Sequence, residues 1–541
     1  LSFWPWHLAP VPVAGAASTG LVLVAAGLRR VPALPRPRGG DVVVLGFTAI
    51  AGASILWPFL GQDAAGRLGI VAPGGDLANH FALVDAVRAA GGYVFLRPGT
   101  AGAQLLWTGL HSYPQGAHLT TALLLNFLGT DTRPVPELGA FLWFEPGTFL
   151  LLCLCLLWAA RRVAGPGTRA LALLPVAALG TAYLVWSDPL MIMWNGFWPE
   201  LLGLSEFALL AGVLVRPLHR AREQATVVAA CLVAICFTYF LVLPVAAVLT
   251  GAWLLWYRRR VRRYTLGVLL GAALAGSVMI GISLAAYGPG QRLLETGSLY
   301  PIDMRILATF GLLAAGGIGL SLRRRSAAWR MTVLLPLTAG GLVLAVSGYQ
   351  LLTAGTTLYY AYKAEHLAMV VFVVGLGPLA RLVPVPRGRA AVLAPVLALA
   401  ALVSLGPAGH FGLGRLYLDG TLSWGWVGRA ALQVATRVPA APGTVTVVWG
   451  GRPREYAAQT TQWTNVLWRT EAVAWRGHMW VSGEPLTGTL AAGDIVDFVR
   501  DSAPYRVRFV TDNPRLLATL GELRRERPDL PLDVVDLPLP R

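Results

Sequence analysis

Three stretches of this chain gather residue types able to move a proton or hold a phosphate. The first is Pro73-Gly74-Gly75-Asp76-Leu77-Ala78-Asn79-His80. Asp76, Asn79 and His80 fall at i, i+3 and i+4, which puts them on one face of a helix. A carboxylate beside an imidazole suits abstraction of a proton from a hydroxyl, with Asp76 and His80 as catalytic residues and Asn79 lining the site. The plainer alternative makes Asp76 a helix cap, accepting from free backbone N–H groups after two glycines. The second stretch is His111-Ser112-Tyr113-Pro114-Gln115-Gly116-Ala117-His118. Tyr-Pro interrupts the preceding structure, so a helix begins at Gln115 or soon after. Tyr113 and His118 would then face outward at headgroup level, as candidate site residues or as ordinary interfacial residues.

The third stretch, Leu358-Tyr359-Tyr360-Ala361-Tyr362-Lys363-Ala364-Glu365-His366, holds the only lysine among 44 Lys and Arg residues. Arg and Lys serve equally as topology markers, but a tight site can require the compact, flexible ammonium. Lys363 would supply charge to a phosphate oxygen, with Tyr359, Tyr360 and His366 donating hydrogen bonds. The alternative is a lysine snorkelling through an aromatic belt. The segment Trp186–Glu200 adds Asp188, Asn195 and Glu200 as acceptor-binding or cavity-lining residues. Trp194 and Trp198 read as interface anchors. Glu145 and Glu206 lie within apolar runs, where each needs a partner or water.

The elements that must position these residues are membrane helices. Of the 541 residues, 55% are hydrophobic and 13% charged, against roughly a quarter charged in soluble chains. Runs suited to crossing about 30 Å of hydrocarbon cover 10–28, 41–60, 140–160, 170–186, 197–215, 264–286, 306–322, 331–352, 367–383 and 390–407. The run 225–257 reads as two short helices turning near Pro244, and 117–129 is too short for a confident span. The total is about 12–13 spans. All four cysteines lie in apolar runs and read as buried, inert thiols.

The net charge of +17 sits in six arginine clusters between apolar runs, so it marks topology and not a nucleic-acid face. The clusters begin at Arg29, Arg161, Arg216, Arg258, Arg323 and Arg381. Assigned to the cytoplasm, they turn the loops 61–116, 187–196, 287–305 and 353–366 outward, and the tail with them. There, the helix beginning near Asp76 would lie on the membrane surface. The division expected is a membrane domain over 1–407 and a small extracytoplasmic α/β domain over 408–541. In the tail, strands at Thr444–Val448, Arg506–Thr511 and Asp533–Leu537 alternate with helices such as Asn513–Arg527.

An early span leading to a long outer loop with an acid (Asp76), a proline motif heading the next helix (Tyr113 to His118), many spans and an outer C-terminal domain together resemble the GT-C class of membrane glycosyltransferases. Within it, the chain resembles protein O-mannosyltransferases, the aminoarabinose transferase of lipid A and actinobacterial arabinosyltransferases. The resemblance covers roughly residues 41–407. It implies transfer of a sugar from a polyprenyl-phosphate donor to a cell-envelope glycan, lipid or protein, at the outer face of the plasma membrane and with inversion. The paired acids common in that loop are absent, Asp76 being followed by Leu77, so no metal or other cofactor is expected. The alternative function is a transporter or flippase of an envelope precursor; a third is a wall-binding scaffold.

Overall fold

The computed structural model describes residues 2–540 except 30–36, 288–289, 298, 300–301, 322–325, 383–423 and 484–489. The span expected over 390–407, the boundary at 407/408, and the arginines at 30, 36, 323–325, 387 and 389 lie outside the described residues.

Apolar sequence makes most of the chain helical. The helices are α1 (Pro10–Leu28), α2 (Gly39–Leu56), α3 (Ala64–Val71), α4 (Gly75–Ala90), α5 (Ala101–Gln104), α6 (Gly116–Phe127), α7 (Pro134–Phe141), α8 (Phe144–Ala164) and α9 (Ala170–Trp186). They continue as α10 (Pro189–Trp194), α11 (Trp198–Val215), α12 (Ala221–Thr238), α13 (Leu243–Trp256), α14 (Arg263–Tyr287), α15 (Met304–Ser321), α16 (Ala327–Ala354) and α17 (Tyr359–Gly375). Among the described residues, nine helices are long and apolar enough to cross a membrane, and two shorter apolar ones fall over Phe240–Trp256 and Met304–Leu320. The chain is therefore a polytopic helical protein. The 225–257 run does divide in two, but the break falls at Tyr239–Val242, and Pro244 sits in the first turn of α13, where its missing N–H costs nothing. The helix at 116–127 has 12 residues, roughly 18 Å of rise, well short of a bilayer.

The tail carries α18 (Gly425–Arg437), β1 (Thr444–Trp449), α19 (Arg454–Leu467), α20 (Glu471–Ser482), α21 (Ala492–Asp501), β2 (Arg506–Thr511), α22 (Pro514–Glu526) and β3 (Leu532–Asp536). Its three strands pair in parallel in the order β1-β2-β3, with Val447 beside Phe509 and Phe509 beside Val534. Parallel pairing follows from the helices that carry the chain back between strands. The sheet has a core of its own, built on Val445, Val447, Phe498, Val507 and Phe509. Helices α18 and α19, by contrast, share the core of the membrane region: Val427, Ala431 and Trp463 cluster with Leu68, Phe81 and Phe141. A Cβ on Gly428 would lie 2.0 Å from the Ala65 carbonyl oxygen, so only glycine lets α18 approach α3 this closely.

The arginine-rich helix ends meet one another. Arg161 pairs with Asp41, Arg162 donates to the carbonyls of Gly212 and Arg216, and Arg381 donates to that of Ala164. Arg222 reaches the Gly27 carbonyl, and the Tyr257 hydroxyl donates to Val215. Helix α17 runs from Lys363, near its start, toward Arg381, so the residues singled out for chemistry lie at the opposite end of the bundle.

Candidate functional site

The site is assembled where the N-terminal turns of α4, α11 and α17 converge with the start of α6. Helix α4 begins at Gly75, with Gly74 in the capping position and no side-chain cap. Asp76 is therefore inside the first turn, and the capping alternative fails. Its Oδ2 instead accepts from the Tyr359 hydroxyl at 2.9 Å. The two glycines serve close packing. A Cβ on Gly74 would lie 2.3 Å from the Asn195 carbonyl carbon, and one on Gly196 would lie 2.6 Å from Leu77 Cβ. Gly196 also has φ +76°, which glycine adopts without strain. This backbone-on-backbone contact fixes the start of α4 against the loop that leads into α11.

Helix α11 contributes Glu200, which is fully buried. Its Oε2 accepts from Lys363 Nζ at 2.9 Å, and its Oε1 stands 2.7 Å from His366 Nδ1. Lys363 is 5% exposed, so it is no snorkelling residue. Its ammonium lies 3.5 Å from the Phe197 ring centroid and 4.7 Å from that of Tyr359, a cation–π setting that partly replaces lost hydration. Beside this, His80 Nδ1 and His118 Nε2 are 3.1 Å apart, and Tyr113 packs on both imidazoles. Trp198 closes the edge of this group, 5.1 Å from His118.

Burial governs the electrostatics. It lifts the Asp76 carboxyl above its ordinary range, against the opposing pull of Lys363 and the Tyr359 hydrogen bond. Burial likewise pushes His80 well down, with His118 and Lys363 adding to the effect, and pushes His118 down to about 3. Both imidazoles are thus neutral at ordinary pH, one donating to the other. Burial also raises the Tyr113 hydroxyl. The site brings together a carboxylate held above its ordinary range, a neutral imidazole pair and an ammonium compensated by Glu200.

Asp76, His80, Tyr113, His118, Glu200, Tyr359, Lys363 and His366 thus come together. Tyr360 stands next to Tyr359, its ring centroid 5.3 Å away, and hydrogen-bonds Glu295. Asn79 turns toward the tail, accepting from Gln462 at 2.9 Å. Asn195 donates to its own helix at the Met191 carbonyl, and Asp188 accepts from the Asp303 N–H; both hold backbone. Helix α4 does not lie on a surface: eleven of its residues, from Leu77 to Ala90, are buried between the bundle and the tail. Nor are Trp194 and Trp198 interface anchors, since both are buried in the core.

The spacing of residues gave no sign that Glu200 joins Lys363 to His366. Arg292, whose guanidinium carbon lies 5.8 Å over the Tyr113 ring and 5.7 Å over Phe240, also escaped it. The available signal was an arginine in the 287–305 loop, apart from all six clusters. Glu206 accepts from Thr238 at 3.4 Å, whereas among the described residues neither oxygen of buried Glu145 has a hydrogen-bond partner. All four cysteines are free and buried. Among the described residues, no three His, Cys, Asp or Glu side chains converge as metal ligands would. No family model matches this chain, and no curated protein matches it.

Proposed function

We propose that the protein is a membrane glycosyltransferase of the GT-C kind, moving a sugar from a polyprenyl-phosphate donor to a cell-envelope acceptor. One observation carries this reading: the half-buried Asp76 carboxylate is hydrogen-bonded to Tyr359, one helix turn from the chain's only lysine. An acid and a cation so placed match the two demands of the reaction. The acceptor hydroxyl oxygen attacks the anomeric carbon while Asp76 takes its proton. The bond from that carbon to the phosphate oxygen breaks, and the phosphate leaves with the bonding pair, its charge met by Lys363 and tyrosine hydroxyls. Direct displacement inverts the anomeric centre. Arg292 adds a second cation near Tyr113, and a planar guanidinium suits phosphate oxygens.

Placing the arginine ends in the cytoplasm sets the site and the tail on the outer side of the plasma membrane, where no nucleotide sugar is needed. The polyprenyl tail would lie between helices, in contact with lipid.

The test uses purified protein in detergent with polyprenyl-phosphate sugars. Asp76→Asn should lower transfer by about 10²- to 10⁴-fold with the unfolding temperature held. Lys363→Ala should weaken donor binding more than acceptor binding. Full transfer by Asp76→Asn removes the carboxylate from the mechanism.

A flippase is the second reading, favoured by the buried Glu145 carboxylate within α8, which has no hydrogen-bond partner among the described residues, since buried acids in spans commonly serve transport. In sealed vesicles that reading expects lipid-linked sugar to change leaflet with no new glycosidic product.

A further inference from the structure

The glycosyl acceptor needs a site of its own beside Asp76, and the tail supplies the groups for one. Helix α19 crosses the start of α4 and presents Gln459 and Gln462, one turn apart. Gln462 Nε2 donates to Asn79 Oδ1 at 2.9 Å. A Cβ on Gly75 would lie 2.9 Å from Gln459 Nε2 and 3.8 Å from Gln462 Oε1. Both amides therefore converge on the residue that precedes Asp76. Gln462 is only 3% exposed, yet among the described residues its Oε1 has no hydrogen-bond partner, and the Oε1 of half-buried Gln459 has none either. A buried acceptor left unpaired costs about 1–3 kcal/mol, so Gln462 Oε1, which faces Gly75, calls for a ligand that donates, and Gln459 Nε2 faces the same glycine as a donor.

The arrangement is held firmly. Arg469, at the end of α19, grips Asp85 of α4 through two bonds of 2.6 and 2.9 Å and also reaches the Thr132 carbonyl. Trp463 packs on Phe81, 6.2 Å between centroids. The amide groups are thus pre-positioned relative to the helix that carries Asp76, which lowers the entropic cost of binding.

We infer that Gln459, Gln462 and Asn79 form an acceptor subsite, shared between tail and membrane helices, that reads the hydroxyls of a neutral glycan. The inference rests on the transferase reading and deepens it. Each amide offers one acceptor oxygen and two N–H donors in a plane, matching neighbouring sugar hydroxyls, which both donate and accept. None of the three carries charge, so the subsite suits a neutral glycan and leaves the phosphate to Lys363 and Arg292. The tail is then part of the site and not an appendage.

The test is binding, read apart from catalysis. Full-length protein in lipid nanodiscs is titrated with mannotrioside, galactotrioside and arabinotrioside, none carrying lipid or phosphate, by saturation-transfer difference NMR. At least one should bind the native protein, and Gln462→Ala should weaken it ten-fold or more. Gly75→Ala is the second variant: it keeps every amide but fills the space between them, and alanine is well tolerated at a helix start. It should weaken binding to a similar degree, while Arg527→Ala, on the exposed tail surface, should not. The inference is overturned if no trioside binds the native protein, or if binding survives both Gln462→Ala and Gly75→Ala. Trioside binding lost in those variants, without sugar transfer from any polyprenyl-phosphate donor, supports the glycan subsite and removes the transferase reading.

Discussion

The two ends of the helix bundle handle charge in opposite ways. At the arginine end, guanidiniums donate to carbonyls at helix C-termini, at Ala164, Gly212 and Arg216. The ion pair there, Arg161 with Asp41, keeps 22% and 34% of its side chains exposed. Such groups complement the negative end of each helix and remain partly hydrated. At the other end, buried Lys363 and His366 both meet Glu200, and half-buried Tyr359 donates to Asp76, side chain to side chain. Charges of this second kind are costly to bury, and a chain that needed only to anchor itself would have no use for them. The difference separates charge that caps helix ends from charge that is paired inside the bundle.

Removing single groups sharpens that contrast. Glu200→Ala strands a buried ammonium and should destabilise the protein by about 3–5 kcal/mol, seen as a large fall in unfolding temperature. Adding Lys363→Met to that variant should restore much of the loss, because the orphaned charge goes too. Were the double variant no more stable than Glu200→Ala, the pair would not be the interacting unit described. Gly196→Ala comes next: it forces a Cβ against Leu77 at φ +76°. A loss of about 1 kcal/mol or more is expected, with transfer reduced further than stability, since the start of α4 must shift. Arg161→Ala, at the other end, should cost no more than about 1 kcal/mol and leave transfer intact.

Titration gives a finer comparison within the site. Asp76 is held above the ordinary carboxylate range by burial, so transfer should rise with pH through that raised value, and this limb should vanish in Asp76→Asn. His80 and His118 are shifted the other way. The unfolded imidazole, near 6.5, takes up a proton that folded His118 refuses until about 3. The stability this lowered value contributes is present above about 6.5 and lost as pH falls toward 3. His118→Phe should flatten that part of a denaturation profile measured against pH.

Much of the architecture was legible without coordinates. The strand Arg506–Thr511 has the expected bounds, and β3 is displaced by one residue from the expected Asp533–Leu537. The helix after Tyr113-Pro114 begins at Gly116, next to the expected Gln115. These are local properties, set by hydropathy, β-branching and the geometry of proline. The surface position expected for α4 failed because its alternation of polar and apolar residues reports two different partners: bundle on one side, tail on the other. Trp198 was misread for a related reason. Its neighbours Asn195 and Glu200 look like a polar boundary in sequence, yet each is turned inward onto a specific group.

What the sequence determined alone is the kind of protein: apolar runs long enough to span a bilayer, arginines between them, and an α/β tail, all consequences of burying apolar surface and hydrating charge over short stretches of chain. Only tertiary packing decided that Glu200 joins Lys363 across 163 residues, and that Asp76 meets Tyr359 across 283. Those pairings depend on which helix faces which, through close approaches such as Gly74 on Asn195 and Gly196 on Leu77, information that no periodicity carries.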